Sequence, residues 1–195
     1  VPAAVALVVI ALPLTSVLYQ RGAFGADDTA NTALVLAIYG AGLPSFVLHK
    51  TYQPLFYARE DARSPFRYAL ISMLVNLGIA VGLMPYIGFA AAALATTVAG
   101  WTMAAQLWFG ASRMGDAARF DSRFRSRAPR IIAASVVMGL VLWGASATLA
   151  GVLATEGWRY AGLAVLIAIG IVAYFAFGAA IGAFRLGDFR KLRQR

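Results

Sequence analysis

The 195-residue sequence is 61% hydrophobic and only 13% charged, and its mean hydropathy is +0.75. Soluble domains are about half apolar and one-quarter charged, so this composition indicates a membrane protein. The net charge of +9 does not indicate a nucleic-acid partner, because the basic residues lie between apolar segments.

Five charge-free segments alternate with short polar connections along the chain. A helix that crosses a bilayer needs about 20 mainly apolar residues, so four of the segments predict one span each. The third segment is long enough for two spans, and Pro85 and Gly88 predict a break between them. Continuous rather than alternating hydrophobicity favours helices over barrel strands. The sequence therefore predicts an all-α, polytopic transmembrane bundle of six spans, and the segments are Val1–Gln20, Thr29–Leu48, Tyr68–Ser112, Ile131–Thr155 and Tyr160–Phe184.

The basic residues predict how these spans are oriented. The second connection, the fourth connection and the tail together hold 15 of the 17 Lys and Arg residues. Short cytoplasmic loops are enriched in Lys and Arg, so we expect both ends of the chain in the cytoplasm and "YQRGAFGADDTA" outside. Val1 already lies in an apolar segment, and the chain is expected to begin within a helix of a larger protein.

These features predict four regions. Residues 1–112 form four spans with a cytoplasmic hinge at 50–67, residues 113–130 form a basic linker, residues 131–184 form the last two spans, and residues 185–195 form a basic cytoplasmic tail.

The linker carries a regular pattern of basic and aromatic residues. On a helix, this spacing gives a basic stripe beside an aromatic one, suited to the headgroup layer of anionic phospholipids. The alternative is a generic cytoplasmic linker that only sets orientation. The membrane-interface residues of the first interpretation are Arg119, Phe120, Arg123, Phe124 and Arg127.

Polar and backbone-shaping residues inside the spans are few. Asn76 lies nearest a span centre and either lines a cavity or makes an interhelical hydrogen bond. Pro13 and Pro44 predict bends, and Gly78-x-x-x-Gly82 matches a close-packing motif.

The residue pattern offers no catalytic or cofactor chemistry. The lone His49 has no second ligand at metal-binding spacing and is interpreted as an interfacial side chain at a helix end. The sequence lacks a nucleophile–base pair and a phosphate-binding glycine loop, so an enzyme, a metal site and a cofactor are not expected.

Two stretches resemble a known family. Leu18 to Thr32 contains a helix end, "RGAF" and an acidic, Thr-containing helix start; Lys50 to Pro65 contains "FYA", an acidic residue, a basic residue and Ser-Pro. In both, the chain resembles the MviN/MurJ family of lipid II flippases, within the multidrug/oligosaccharidyl-lipid/polysaccharide exporter superfamily. The resemblance implies that the six spans are the last six helices of a fourteen-helix, two-lobe flippase.

The resemblance also implies a function in the bacterial inner membrane. Lipid II, the undecaprenyl-pyrophosphate-linked peptidoglycan precursor, would move from the inner to the outer leaflet by alternating access. The missing N-terminal lobe would hold most residues that grip the pyrophosphate, and Ile131–Leu149 with Tyr160–Phe184 would hold the prenyl tail. Two alternatives remain: an exporter of another polyprenyl-linked oligosaccharide, and a non-transporting membrane scaffold.

The hinge is interpreted as part of a cytoplasmic gate. Pro54 and Pro65 are expected to terminate the flanking helices, and the aromatic residues Tyr52, Phe56, Tyr57 and Phe66 to anchor at the interface. Charged side chains could form and break ion pairs with the other lobe, with Lys50 near the substrate phosphates. The alternative is an orientation-setting loop with local salt bridges. The candidate substrate and gate residues are Lys50, Gln53, Tyr57, Arg59, Asp61, Arg63 and Asn76.

Overall fold

The computed structural model describes residues 1–115 and 122–182, with the side chains of 122 and 123 excluded. Those ranges contain eight α-helices and no strand, which confirms the all-α prediction for the described part of the chain. The helices are α1 (Pro2–Val9), α2 (Ala11–Tyr19), α3 (Ala26–Tyr57), α4 (Arg63–Ile87), α5 (Ala90–Ser112), α6 (Ser122–Thr148), α7 (Ala150–Ala154) and α8 (Arg159–Ala180).

Four of these helices are long and apolar enough to cross a membrane, namely α3, α4, α8 and the Phe124–Thr148 part of α6. The bent pair α1 and α2 makes a fifth candidate. Helix α5 is 23 residues long but rich in Ala, Thr and Gly, and it is not among them. The described residues thus contain four or five candidate spans, and six are not confirmed.

The first apolar segment is broken rather than straight. Helices α1 and α2 meet at an angle of 67°, with Ile10 between them. Pro13 explains the position of the break, because a proline has no N–H for the carbonyl four residues earlier and its ring collides with that carbonyl. That carbonyl belongs to Val9, the last residue of α1. The bend predicted from Pro13 therefore occurs one turn before the proline.

The long apolar segment divides where Pro85 and Gly88 predict. Helix α4 ends at Ile87, and Gly88 follows with a φ of 57°, a left-handed conformation that favours glycine. Helix α5 then begins at Ala90. The glycine reverses the chain direction with almost no connecting loop.

The residues between Leu34 and Arg119 form one compact unit, in which α5 is the most buried helix. Eight of its buried residues are Ala or Gly. Small side chains let membrane helices approach closely, and short polar groups then bond across the contact. Thr97 Oγ1 donates to the carbonyl of Ile38 at 2.9 Å, and Trp101 Nε1 donates to the carbonyl of Ala41 at 3.1 Å. Helix α5 is thereby joined to α3.

The second compact unit comprises Val1–Ala33 and Phe120–Arg195. Among its described residues, α1 and α8 pack against α6. Its core centres on Ile10, Met138, Leu142 and Leu166, each at most 5% exposed. The break residue Ile10 thus belongs to the core.

Glycine packing differs from the motif prediction. A Cβ added to Gly78 or Gly82 would meet nothing within 4 Å among the described residues, so this motif does not mark a close helix contact there. At Gly110 of α5, by contrast, a Cβ would lie 2.6 Å from Tyr68 Oη and 3.0 Å from Phe56 Cζ. Phe56 is 1% exposed and has little room to move.

We predict that Gly110→Val destabilises the protein, whereas Gly78→Val does not. Both substitutions add the same side chain within a helix, so their intrinsic helix propensities cancel in the comparison. Overpacking at Gly110 should cost about 1–3 kcal/mol more than the control. Thermal unfolding of the two purified variants in the same detergent measures the difference. Equal midpoints would show that α5 does not depend on this close approach.

Candidate functional site

The predicted hinge consists mainly of helix ends joined by a five-residue turn. Helix α3 continues to Tyr57, so Lys50, Gln53 and Tyr57 lie on its last two turns. Arg63 is the first residue of α4. Within the predicted hinge, only residues 58–62 lie outside helices.

The two prolines do not end the helices as predicted. Pro54 lies inside α3 and Pro65 lies in the first turn of α4. A proline in the first turn of a helix is tolerated, because the N–H groups there have no intrahelical partner. Helix α3 passes through Pro54 for one more turn before it ends.

Backbone hydrogen bonds make this turn compact. The amides of Arg59 and Asp61 both donate to the carbonyl of Phe56, at 3.0 Å each. Glu60 has a φ of 57°, which is uncommon for a residue with a Cβ. The fold thus holds the residues between α3 and α4 in a defined, strained conformation.

Arg59 and Asp61 bind backbone groups in this turn. Arg59 Nη2 donates to the carbonyl of Met114 at 2.9 Å, which ties the turn to the residues that follow α5. Asp61 Oδ1 accepts from the amide of Ser64 at 3.0 Å and so caps the first turn of α4. Hydrogen bonds from the hydroxyl and amide of Ser64 lower the pKa of Asp61 below its ordinary value, and the charge of Arg67 adds to this effect.

The aromatic residues of the hinge divide between core and surface. Tyr57 and Phe66 are 56% and 64% exposed and are free to anchor at an interface. Tyr52 and Phe56 are 3% and 1% exposed, so the prediction that they anchor there is wrong. The reason lies in helical phase: they are four residues apart and share the face of α3 that is buried.

Asn76 is separated from the hinge residues. Its Nδ2 donates to Thr96 Oγ1 at 3.3 Å, which links α4 to α5. This contact matches the interhelical alternative for Asn76. At 1.5 Å per residue, Asn76 lies about 20 Å along α4 from Arg63. The structure therefore does not bring it together with the other candidate residues.

His49 also differs from its prediction. It lies within α3 rather than at its end, and its Nε2 is 2.8 Å from the carbonyl oxygen of Gly100 on α5. Because a carbonyl can only accept, Nε2 carries the proton in this contact. The extension of α3 beyond Leu48 converts an expected interfacial residue into a contact between two helices.

The basic and aromatic stripe is described only in part. Arg119 and Phe120 lie outside the described residues, as do the side chain of Arg123 and residues 185–195. Helix α6 begins at Ser122 and carries Phe124, which is 49% exposed, and Arg127, which is half-buried. The helical conformation expected for the stripe is therefore present from Ser122 onward.

An apolar groove lies in the second compact unit, which comprises Val1–Ala33 and Phe120–Arg195. It has a volume of about 300 Å³, and uncharged residues of α1, α6 and α8, together with Ile10, surround it. The contribution of α1 was missed by sequence reasoning, because a contact between residues more than 130 positions apart leaves no local pattern. The lining residues are Pro2, Ala3, Ala6, Ile10, Met138, Leu142, Ile167, Gly170, Ile171, Tyr174 and Phe175.

The groove has one narrow point and one polar atom. A Cβ at Gly170 would lie 2.9 Å from Leu142 Cδ2, so a larger residue there would force the buried Leu142 side chain to shift. Among the described lining residues, Tyr174 alone has a side-chain hydroxyl, and none has a charge. Such a surface can hold a hydrocarbon chain and offers no charge to bind a phosphate.

The chain is similar to known proteins over nearly its whole length. The family model for lipid II flippase MurJ matches residues 1–177. Probable lipid II flippases MurJ from Rhizobium tropici and Rhizobium meliloti are each 38% identical over the entire chain. The chain spans 37% of the length of these two relatives.

A solved structure supports the same relationship. A lipid II flippase MurJ in an inward closed conformation matches with a TM-score of 0.72 and 26% identity. The match covers 92% of this chain and 35% of that one. From the family model, the relatives and the shared fold together, we conclude that the chain belongs to the lipid II flippase MurJ family.

Proposed function

We propose that this chain is part of a transporter that moves lipid II from the inner to the outer leaflet of the bacterial inner membrane by alternating access. The match to the lipid II flippase family over residues 1–177 carries the proposal. The chain spans 37% of the length of its two Rhizobium relatives, and we place an N-terminal lobe in the remainder. Alternating access needs two lobes that move relative to each other around a substrate site.

The proposed topology has six spans, the last six of fourteen. Helix α5 adds the span that is missing from the five candidates and is the fourth in chain order, because its small residues and its hydrogen bonds to α3 and α4 suit a helix buried among others rather than exposed to lipid. An even number of spans places both ends of the chain on the same side. The concentration of basic residues in alternate connections supports a cytoplasmic C-terminus.

The apolar groove is the proposed site for the polyprenyl tail. A long hydrocarbon chain needs an extended surface without unsatisfied polar groups, and the uncharged lining of the groove meets this need. The phosphates of lipid II would then bind basic residues elsewhere in the full-length protein. The same groove would also accept the tail of another polyprenyl-linked oligosaccharide, which keeps that exporter as the second candidate.

The turn between α3 and α4 is the proposed gate element. Its compact backbone and the contact from Arg59 to Met114 support a rigid element that moves as a unit with the end of α5. Lys50 and Arg63 are exposed on either side of it and could contact the substrate phosphates or the other lobe. Gating requires contacts that differ in free energy between the two states.

The first turns of α6 are proposed to lie at the cytoplasmic surface. Arg123, Phe124 and Arg127, with Arg119 and Phe120 before them, would bind anionic phospholipid headgroups through charge and apolar side chains together.

Complementation tests the function directly. In cells depleted of their lipid II flippase, the full-length protein should restore growth and flipping. We expect residues 1–195 alone to fail, because the apolar spans and groove offer no cation for the pyrophosphate. Rescue by the fragment would favour a self-sufficient transporter, and failure of the full-length protein would favour the scaffold or the exporter of another sugar.

A bulky residue in the groove should block the polyprenyl tail. We predict that Ile171→Trp lowers flipping by the full-length protein about tenfold, equivalent to about 1.4 kcal/mol. Val172→Trp is the matched control, because Val172 is the next residue, is 65% exposed and does not line the groove. A leaflet-accessibility assay at equal protein levels measures both. Equal flipping by the two variants would remove the groove from the substrate path.

Charge reversal tests the gate. Arg59→Glu would replace the donor to Met114 with a carboxylate beside a carbonyl oxygen, so we expect loss of most flipping. Arg125→Glu makes the same charge change at an exposed residue of α6, in another connection that is predicted to be cytoplasmic, and should keep near-normal flipping, which controls for effects on membrane orientation. Asp61→Arg should also impair flipping, since it removes the cap on Ser64. Normal flipping by both Arg59→Glu and Asp61→Arg would exclude this turn from the gate.

A further inference from the structure

A second cavity lies at the other end of α8 from the aromatic residues of the groove. It has a volume of about 540 Å³, and residues along α2, at the end of α6, in α7 and at the start of α8 surround it. Unlike the apolar groove, it combines hydrocarbon with charged and polar side chains. The residues that matter for its chemistry are Leu12, Ser16, Ser146, Leu153, Glu156 and Arg159.

Arg159 contributes hydrogen-bond donors to this cavity. Its Nη1 makes a long contact of 3.5 Å to the carbonyl of Gln20, and its guanidinium lies 5.2 Å from the ring centre of Tyr160. Its Nε is buried and has no hydrogen-bond partner among the described residues. Because the enclosed Nε cannot be reached from the cavity, a phosphate would instead bind the terminal amino groups of this guanidinium through charge-assisted hydrogen bonds.

Other residues of the lining contribute acceptors. Glu156 lines the cavity and supplies a carboxylate. Ser16 Oγ donates to the carbonyl of Pro13 at 3.1 Å, and Ser146 Oγ donates to the carbonyl of Trp143 at 2.8 Å. Because each hydroxyl hydrogen is used inside its own helix, the two oxygens remain as acceptors. The cavity thus offers cationic donors at Arg159 and acceptors at Glu156, Ser16 and Ser146.

This set of groups matches a headgroup that carries both a phosphate and an ammonium. A lone phosphate would use only Arg159 and would be repelled by the carboxylate of Glu156. An ammonium beside the phosphate instead gives Glu156 and the serine oxygens donors to accept from. The apolar residues Leu12 and Leu153 border the same cavity and can contact the start of an acyl chain.

We propose that this cavity binds a zwitterionic aminophospholipid, with the phosphate on Arg159 and the ammonium on Glu156. The site is separate from the apolar groove, whose lining carries no charge and shares no residue with this cavity. The bound lipid would hold the ends of α2, α7 and α8 together. It is therefore a structural lipid and not the transported substrate.

Lipid binding to the full-length protein in detergent tests the proposal. Native mass spectrometry with phosphatidylethanolamine and phosphatidylglycerol, each added at equal concentration, would count the bound lipids. We expect the unaltered protein to bind phosphatidylethanolamine at least tenfold more tightly. Arg159→Gln should lower this affinity about tenfold, because it removes the cationic donor.

Two further variants make the result specific. Glu156→Gln keeps Arg159 and should remove the preference for phosphatidylethanolamine, with tighter binding of phosphatidylglycerol than in the unaltered protein. Arg21→Gln is the control, because Arg21 bonds the carbonyl of Leu18 and the hydroxyl of Tyr160 at the same end of the unit but does not line the cavity. Equal affinity for the two lipids in the unaltered protein would overturn the proposal. So would an equal loss in the Arg159→Gln and Arg21→Gln variants.

Discussion

Hydrocarbon offers no partner for a backbone N–H or C=O, and this constraint shapes the rest of the chain. Within lipid the polypeptide must remain helical, so its architecture depends on where helices are allowed to break. Three of the described breaks take only one or two residues, at Ile10, at Gly88 and at Leu149, between α6 and α7. Two of these breaks have a steric cause. The ring of Pro13 collides with the carbonyl of Val9, and Gly88 adopts a positive φ that favours glycine. The break at Ile10 places a large apolar side chain in the core, beside the residues that line the groove.

Side-chain size decides the second level of structure. Helix α5 meets α3 and α4 closely because Ala and Gly dominate its buried positions, and polar contacts then form across the short distances. The same effect at Gly170 brings α8 against Leu142, and both residues line the apolar groove. In both units, small residues are located where two helices meet, and larger apolar residues surround them.

The apolar groove and the cavity beside Arg159 differ in the charge of their lining residues, and charge decides which ligand each can bind. The groove beside Tyr174 has no charge, which suits a hydrocarbon tail, whereas the cavity beside Arg159 has one cation and one carboxylate. Helix α8 contributes to both. These chemically distinct sites match the two separate roles that we propose for them, one for the tail of a transported lipid and one for a structural lipid.

The sequence by itself determined the membrane-spanning, all-α character, the break near Pro85 and Gly88, and the family, because composition, proline and glycine positions and short motifs are local properties. It did not determine how far helices continue or which of their faces are buried. Tertiary structure decided that α3 extends to Tyr57 and that Tyr52 and Phe56 lie in the core. It further decided that Gly110 closely approaches other described residues while Gly78 does not. It also decided that α1 borders the groove and that Arg159 shares a cavity with Glu156. These outcomes depend on packing between distant helices, for which uniformly apolar segments carry little periodic signal.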